Sequence, residues 1–401
     1  MGHIKLLENT VQTYAWGSRT AIADLLGKAS PSTKPWAELW MGSHPKAPSK
    51  VQEKDGAVSL LDVIALHPEQ MLGQASVSRF GNQLPFLFKV LAVESPLSIQ
   101  AHPAKAQAEQ GFERENRAGI PLDAPHRNYR DSNHKPECLC ALTPFTALCG
   151  FRPVPDIMEL IFKLLPEDEV VRLTPDLVNR ATSDGLKSFL TQLLVLSAGR
   201  KNEILDRAVN YAAHQSGEHP VFQWIVRLNR IFPGDIGALA PAFLNMVILT
   251  PGQALFVPPA TLHAYLEGTG LEVMANSDNV LRGGLTVKHV DVAELLRILV
   301  FKQTPPQIIE PHPVSDCERR YRVPAREFGL SVIEARTGAC FPENQGSAEI
   351  LLCIQGEARL REEVSGDITV LTRGASAFVP ACTGRYEITG DSRIFRAFIP
   401  A

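Results

Sequence analysis

The chain has 401 residues, 45% hydrophobic and 21% charged, with a formal net charge of −3. That length predicts two or three domains, each able to bury its own core. The charge is spread without a basic tract, which excludes the footprint of a nucleic-acid or anionic-membrane binder, and no apolar run approaches the roughly 20 residues that span a bilayer. The expected partner is a small molecule, with no nucleic acid and no membrane.

The opening Met1-Gly2-His3-Ile4-Lys5 lacks the charged, apolar and small-residue sections of a secretory signal, so a cytoplasmic location is expected. Residues 1 to about 150 read as short strands and turns, with Gly, Pro and Ser punctuating stretches such as Leu84-Pro85-Phe86-Leu87-Phe88-Lys89-Val90-Leu91. From about Pro155 to Ala240 the spacing is helical, as in Ile157, Leu160, Ile161, Leu164 and again Leu186, Phe189, Leu190, Leu193, Leu194. Strands return in Asn245–Leu249 and Ala254–Val257, and a second stretch of strands and turns fills about 320 to 401. The predicted class is mainly β with an inserted α-helical domain.

A short internal repeat supports that class. Gly252-Gln253-Ala254-Leu255-Phe256-Val257-Pro258 matches Gly374-Ala375-Ser376-Ala377-Phe378-Val379-Pro380 in spacing, as expected of a turn feeding a barrel strand in two small β-barrels of one type. Eleven residues after each glycine stands His263 in the first copy and Arg385 in the second, so only the first keeps a metal-capable side chain. The seven cysteines, Cys138, Cys140, Cys149, Cys317, Cys340, Cys353 and Cys382, form no C-x-x-C pair, and reduced thiols are expected.

Three segments carry donor groups. In Leu97-Ser98-Ile99-Gln100-Ala101-His102-Pro103, strand alternation sends Ser98, Gln100 and His102 to one face and the apolar residues to the other. Residues at i and i+2 can converge on one ion, although the pattern alone also suits a half-buried edge strand. In Asn133-His134-Lys135-Pro136-Glu137-Cys138 an extended backbone, which Pro136 favours, points Lys135 and Glu137 the same way. Glu137 then offers an anionic ligand, and Lys135 beside a dication would have its pKa lowered into the range useful for proton transfer. Cys138 and Cys140 alternate onto the opposite face as core residues. His263 follows the first repeat strand after Pro258-Pro259, with Tyr265 on its own face as a candidate for touching substrate. Four donors, Gln100, His102, Glu137 and His263, leave an open coordination position of the kind a catalytic zinc keeps.

The stretch from Leu271 to Lys288 is rich in polar residues within apolar framing. Glu272 and Asp278 can exchange protons or orient a neighbour, and Arg282 and Lys288 can bind an anion or steady an enediolate oxygen. A solvated loop with charge pairs would carry the same residues. No P-loop or dinucleotide fingerprint is present, so any phosphate must be held by side chains, the candidates being Lys89, Ser98, Arg282 and Lys288.

Tyr14-Ala15-Trp16-Gly17-Ser18, Ala37-Glu38-Leu39-Trp40-Met41-Gly42, Ser98–Pro103, the frame from Pro125 to Glu137 and Ala275–Lys288 occur in order. In these motifs the chain closely resembles the type I mannose-6-phosphate isomerases, from about residue 8 to about 300 and more loosely beyond. The resemblance implies two cupin-type (jelly-roll) β-barrels: a catalytic cupin over 1–150 and 242–310, an inserted helical domain over 151–241, and a C-terminal cupin-like domain over 311–401 without a metal site. It implies one zinc per chain on Gln100, His102, Glu137 and His263, with Arg282 the residue most often given a catalytic role. It places Lys135, His134, Glu272 and Asp278 at positions for ring opening or proton transfer, and Ser98, Lys89 and Lys288 at positions for the phosphate.

The implied reaction interconverts mannose 6-phosphate and fructose 6-phosphate through a cis-enediol, in a cytoplasmic and monomeric enzyme. One alternative is another metal cupin such as an iron oxygenase, which prefers two histidines and one carboxylate and so does not account for Gln100. The other is a sugar-phosphate-binding regulator without catalysis, which would not need both Lys135 and Arg282.

Overall fold

The strand-forming runs of this sequence differ in how many faces they bury, and that difference places them. A computed structural model describes residues 2–53, 56–179, 183–336, 338–343 and 346–400. Among them the strands form two sheets of 11 strands each. The first runs in spatial order Gln307–Ile309, Ala254–Val257, Glu137–Ala141, His263–Ala275, Phe86–Val93, Glu38–Met41 and Thr10–Gln12, with Ile99–Ala101, Phe145–Phe151, Leu244–Leu249 and Leu281–Gly284 attached to that path. The second is built on the long strand Glu349–Glu362, which pairs with Ser376–Val379, Ser392–Phe398, Ile368–Thr372 and Tyr386–Thr389.

Phe86–Val93 is buried along its whole length, as its unbroken apolar run requires. Phe86, Phe88 and Val90 join a core that also holds Leu330, Val332, Ile350 and Phe378 of the second sheet, so one hydrophobic layer serves both. Leu91 and Val93 pack on the opposite face, inside the first sheet. The amino-terminal strands cross between the two: Lys5–Glu8 pairs with Ser376–Val379, whereas Thr10–Gln12 pairs with Glu38–Met41.

The helical block falls where the spacing places it, in Val154–Leu164, Ser183–Leu194, Ala198–His214 and Pro220–Ile231 among others, with Ile157, Leu160, Ile161, Leu164, Leu186, Phe189 and Leu190 buried in one cluster. The two repeat copies also land on equivalent parts. Gly252 and Gly374 both take left-handed backbone, at φ +93° and +85°, and each opens a fully buried strand, Ala254–Val257 and Ser376–Val379. Arg385 points to solvent beside Glu363. Among the described residues no helix is long and apolar enough to cross a membrane.

Two expectations need correction. Residues 1–150 are not only strands and turns, since Leu60–Leu66, Pro68–Leu72, Gln74–Phe80 and Lys105–Arg117 are helices. The first three are too short to display a helical period and start at local signals: the Ser59 hydroxyl caps one and Pro68 opens the next. Lys105–Arg117 buries only Ala108, Gly111 and Glu115, so it lacks an apolar stripe, and Gln107 reaches back to the Ala104 N–H. The second correction concerns the thiols, because Cys317 and Cys340 form a disulfide with Cα atoms 6.0 Å apart. Their separation of 23 residues carries no signal. Pairing arises because Cys317 lies against Glu334 of one strand, while Cys340 bridges to Ile388 of another.

The second sheet closes over a buried charge. Arg396 is fully buried, donates to both Glu349 oxygens at 2.8 and 2.6 Å and to Glu318 at 2.8 Å, and Tyr386 donates to the same Glu349 at 2.7 Å. Removing one member of such a network leaves an uncompensated charge in low dielectric. Arg396→Ala is expected to lower unfolding stability by about 3 to 5 kcal/mol in urea titrations, against well under 1 kcal/mol for the exposed Arg385→Ala control.

Candidate active site

Strand alternation and one bulge aim a set of polar side chains into a single cavity of the first sheet. Gln100 lies in the short strand Ile99–Ala101, opposite both His263 and Arg282 in register, and His102 follows at the strand end. Glu137 opens the strand Glu137–Ala141, and His263 opens the strand His263–Ala275. Along the latter, His263 and Tyr265 share a face by alternation. A register shift between Tyr265 and Glu267 then inserts one extra residue, so Glu272, an odd number of positions further on, faces the same cavity. Its walls include Gln100, Lys135, Glu137, His263, Lys89 and Glu38.

His102, Glu137 and His263 present one ligand atom each, all within 4.8 Å of one another. His102 Nε2 is 3.0 Å from one Glu137 oxygen, and His263 Nε2 is 3.4 Å from the other. The other ring nitrogens are occupied: His102 Nδ1 donates to the Asn279 carbonyl at 2.7 Å and His263 Nδ1 to the Thr261 carbonyl at 3.0 Å. Those bonds place both Nε2 lone pairs in the cavity, as a metal-binding histidine pair requires. His102 Nε2 is buried with only the Glu137 carboxylate beside it, a position open to a metal ligand bond. Burial and then the charge of Lys135 push the His102 imidazolium down to about 4, against the pull of Glu137, so this ring is neutral at pH 7.

Glu137 is the most heavily used group. It accepts from Tyr265 at 3.0 Å and pairs with Lys135 at 2.9 Å. Burial alone would raise its carboxyl, but Lys135 and the two imidazoles hold it well below the usual range. Lys89 lies between Glu38 at 3.6 Å and Glu272 at 3.3 Å, over the Trp40 ring. Burial opposes its charge, yet those carboxylates keep the ammonium above its ordinary value. Burial, with Glu137 adding to it, raises the Glu272 carboxyl, while Lys89 and Lys135 draw it back. Three carboxylates therefore face two ammonium groups, and the cavity carries an excess of negative charge that a dication offsets. The donor types and the orphaned Nε2 fit zinc.

The other sequence candidates divide. Arg282 is half-buried beside Gln100, and burial together with the neighbouring Arg130 lowers its pKa. Lys288 is exposed, and burial of its stem, Arg282 and Arg130 lower its pKa too. Asp278 pairs with Lys46 at 2.8 Å and His44 at 3.6 Å, which hold its carboxyl low although burial would raise it. Ser98 is half-buried just before the strand Ile99–Ala101. Lys135 turns into the cavity, whereas its neighbour His134 turns away and bonds Glu327 at 2.7 Å. Tyr265 is 4% exposed, with its hydroxyl committed to Glu137.

Sequence reasoning missed four members. Glu38 is a carboxylate in an otherwise apolar, fully buried strand, and that mismatch was its available signal. Arg130 and Asp131 sit on a loop whose backbone N–H groups donate to the Asn279 side chain at 2.7 and 3.2 Å. Asn279, fully buried, donates in return to the Asp131 and Asn133 carbonyls at 2.8 and 2.9 Å. One asparagine thus ties His102 to the loop leading into Lys135, a link made only in three dimensions.

Fold and cavity define a metal-binding cupin enzyme. A model of the type I phosphomannose isomerase catalytic domain matches residues 4–154, and one of the mannose-6-phosphate isomerase cupin domain matches residues 321–399. Mannose-6-phosphate isomerase of Salmonella typhimurium is 42% identical over 98% of both chains, and that of Homo sapiens is 34% identical over 94% of this chain and 93% of its own. A crystal structure of zinc-bound mannose 6-phosphate isomerase superposes with a TM-score of 0.90 at 39% identity, covering 99% of this chain and 100% of that one. A lysine-to-alanine mutant of the Salmonella typhimurium enzyme gives 0.91 at the same identity and coverage. The chain belongs to the type I phosphomannose isomerase family.

Purified protein is expected to hold one zinc per chain by elemental analysis. His102→Ala should abolish retention, and Tyr265→Phe should weaken zinc about 10- to 100-fold in chelator competition by freeing Glu137.

Proposed function

We propose that this cavity interconverts mannose 6-phosphate and fructose 6-phosphate, with zinc held by Gln100, His102, Glu137 and His263. The observation that carries the reading is the pair of inward Nε2 lone pairs at a buried carboxylate, with Lys135 and Glu272 in the same walls. Zinc, when bound, polarises sugar oxygens and offsets the negative cavity.

The chain's own residues supply the rest. Isomerisation moves a proton between C2 and C1 through a cis-enediol, which needs groups that gain and lose protons near neutrality. Glu272 suits this because its surroundings raise it out of the ordinary carboxylate range. Lys135, 2.9 Å from Glu137, is the second group placed to carry a proton to or from a sugar oxygen. Ring opening falls to groups at the rim, where Asp278 stays ionised between Lys46 and His44.

Phosphate fits the cluster of Arg282, Arg130 and Lys288 better than it fits Lys89. Among the described residues, none of the three has a carboxylate within 4.0 Å, whereas Lys89 already has two. Burial and the neighbouring charge of Arg130 hold Arg282 and Lys288 below their ordinary values, and one dianion would neutralise this positive cluster. Ser98, just before the Gln100 strand, is a further candidate donor. Arg282, next to Gln100, can also steady the developing enediolate, an effect worth on the order of 3 kcal/mol.

A coupled assay following fructose 6-phosphate from mannose 6-phosphate tests the reading. Turnover is expected to vanish on chelation and return with zinc. No turnover by folded, zinc-replete protein would refute it. Arg282→Ala is expected to lower kcat/KM by roughly 10²-fold or more, with Lys288→Ala acting chiefly on KM.

A further inference from the structure

The second barrel carries no metal histidine at its repeat position, yet it reaches the active-site segment at one point. Glu327 lies between the strands Glu318–Tyr321 and Gly329–Ala335 of the second sheet, and its carboxylate bonds His134 Nε2 at 2.7 Å. His134 immediately precedes Lys135, whose ammonium enters the cavity, and it lies close before Glu137. Because the segment is extended, His134 and Lys135 face opposite sides, so a grip on His134 orients the backbone that aims Lys135.

The carboxylate is fixed from both ends. Tyr321, at one end of the Glu327 segment, donates to the Gly252 carbonyl at 2.8 Å, which anchors that strand to the first sheet. Arg79, from the helix Gln74–Phe80, donates to the carbonyls of Arg326 at 3.2 Å and Pro400 at 2.8 Å. Phe328 is wholly buried in the core common to the two sheets. Burial would raise the Glu327 carboxyl, but the bond and charge of His134 hold it below its ordinary value.

We propose that Glu327 is a positioning residue: the second sheet holds His134 through it, and thereby sets Lys135 and Glu137 in register with the substrate. This role rests on the isomerase reading and gives the second barrel a part in it. A shift of the order of 1 Å in a reacting group costs up to about 10²-fold in rate. His134 and Glu327 keep 27% and 16% of their side-chain surface exposed, so removing either side chain leaves no sealed cavity and no fully buried lone charge.

The test is a double-mutant cycle of Glu327→Ala and His134→Ala, assayed with mannose 6-phosphate at saturating zinc alongside zinc content and melting temperature. Glu327→Ala is expected to lower kcat roughly 10-fold or more, with KM, zinc content and melting temperature close to wild type. Glu327→Gln, whose amide oxygen can still accept from His134, should recover part of the loss. In the His134→Ala background, Glu327→Ala should cost nothing further. Wild-type kcat in Glu327→Ala, an equal loss in both backgrounds, or a loss matched by falling zinc content or melting temperature would overturn the role. Wild-type turnover is measured first, since its absence overturns the isomerase reading and this role together, whereas its presence with an indifferent Glu327 overturns this role alone.

Discussion

Glu137 sits almost without solvent where three β segments meet, and the rest of the site follows from what is needed to keep it ionised there. A lone buried carboxylate takes up a proton rather than remain charged in a low-dielectric interior. Lys135, Tyr265 and the two imidazoles surround it, yet Glu38 and Glu272 add negative charge to the same cavity, and Lys89 answers only part of it. A bound cation offsets that negative excess. Burial, with the charge of Glu137 adding to it, raises Glu272, so the carboxylate that would hold the metal also helps prepare a group for proton transfer. The proposed phosphate cluster of Arg282, Arg130 and Lys288 stands apart from these carboxylates, so binding a phosphate there would not compete with the metal for them.

The proposed ligands could be picked out of the sequence because strands alternate. Gln100 with His102, and Lys135 with Glu137, could be assigned to common faces from spacing alone, and the core role of Cys138 and Cys140 follows from the same parity. Glu272 lies beyond a bulge that breaks this rule, so its direction could not be counted from His263, and it stood out only as a carboxylate in an unusually polar stretch and by the family resemblance. The orienting groups were hidden for a different reason. Asn279 and Thr261 act on the histidines through backbone carbonyls, which carry no residue-type signal. The disulfide between Cys317 and Cys340 and the exposed helix Lys105–Arg117 were missed likewise, one depending on strand neighbours and the other lacking an apolar stripe.

The two sheets share more than a short sequence repeat. Glycines at the same φ region open matching strands, the amino-terminal strands pair across both sheets, and one apolar layer lies between them. The second sheet holds an internal charge, Arg396 bound by Glu349 and Glu318, which ties its strands together. A rigid body of that kind is a suitable platform for a single carboxylate, Glu327, extended toward the active-site segment.

The central claim is that Gln100, His102, Glu137 and His263 form one zinc centre, and anomalous diffraction at the zinc edge from crystals of zinc-replete protein tests it most directly. The account expects one strong peak per chain, within bonding distance of those four side chains. A strong peak elsewhere, such as near His3, Glu362 and Asp367, whose ligand atoms also lie within 4.8 Å of one another, with none between the two active-site histidines, would contradict it.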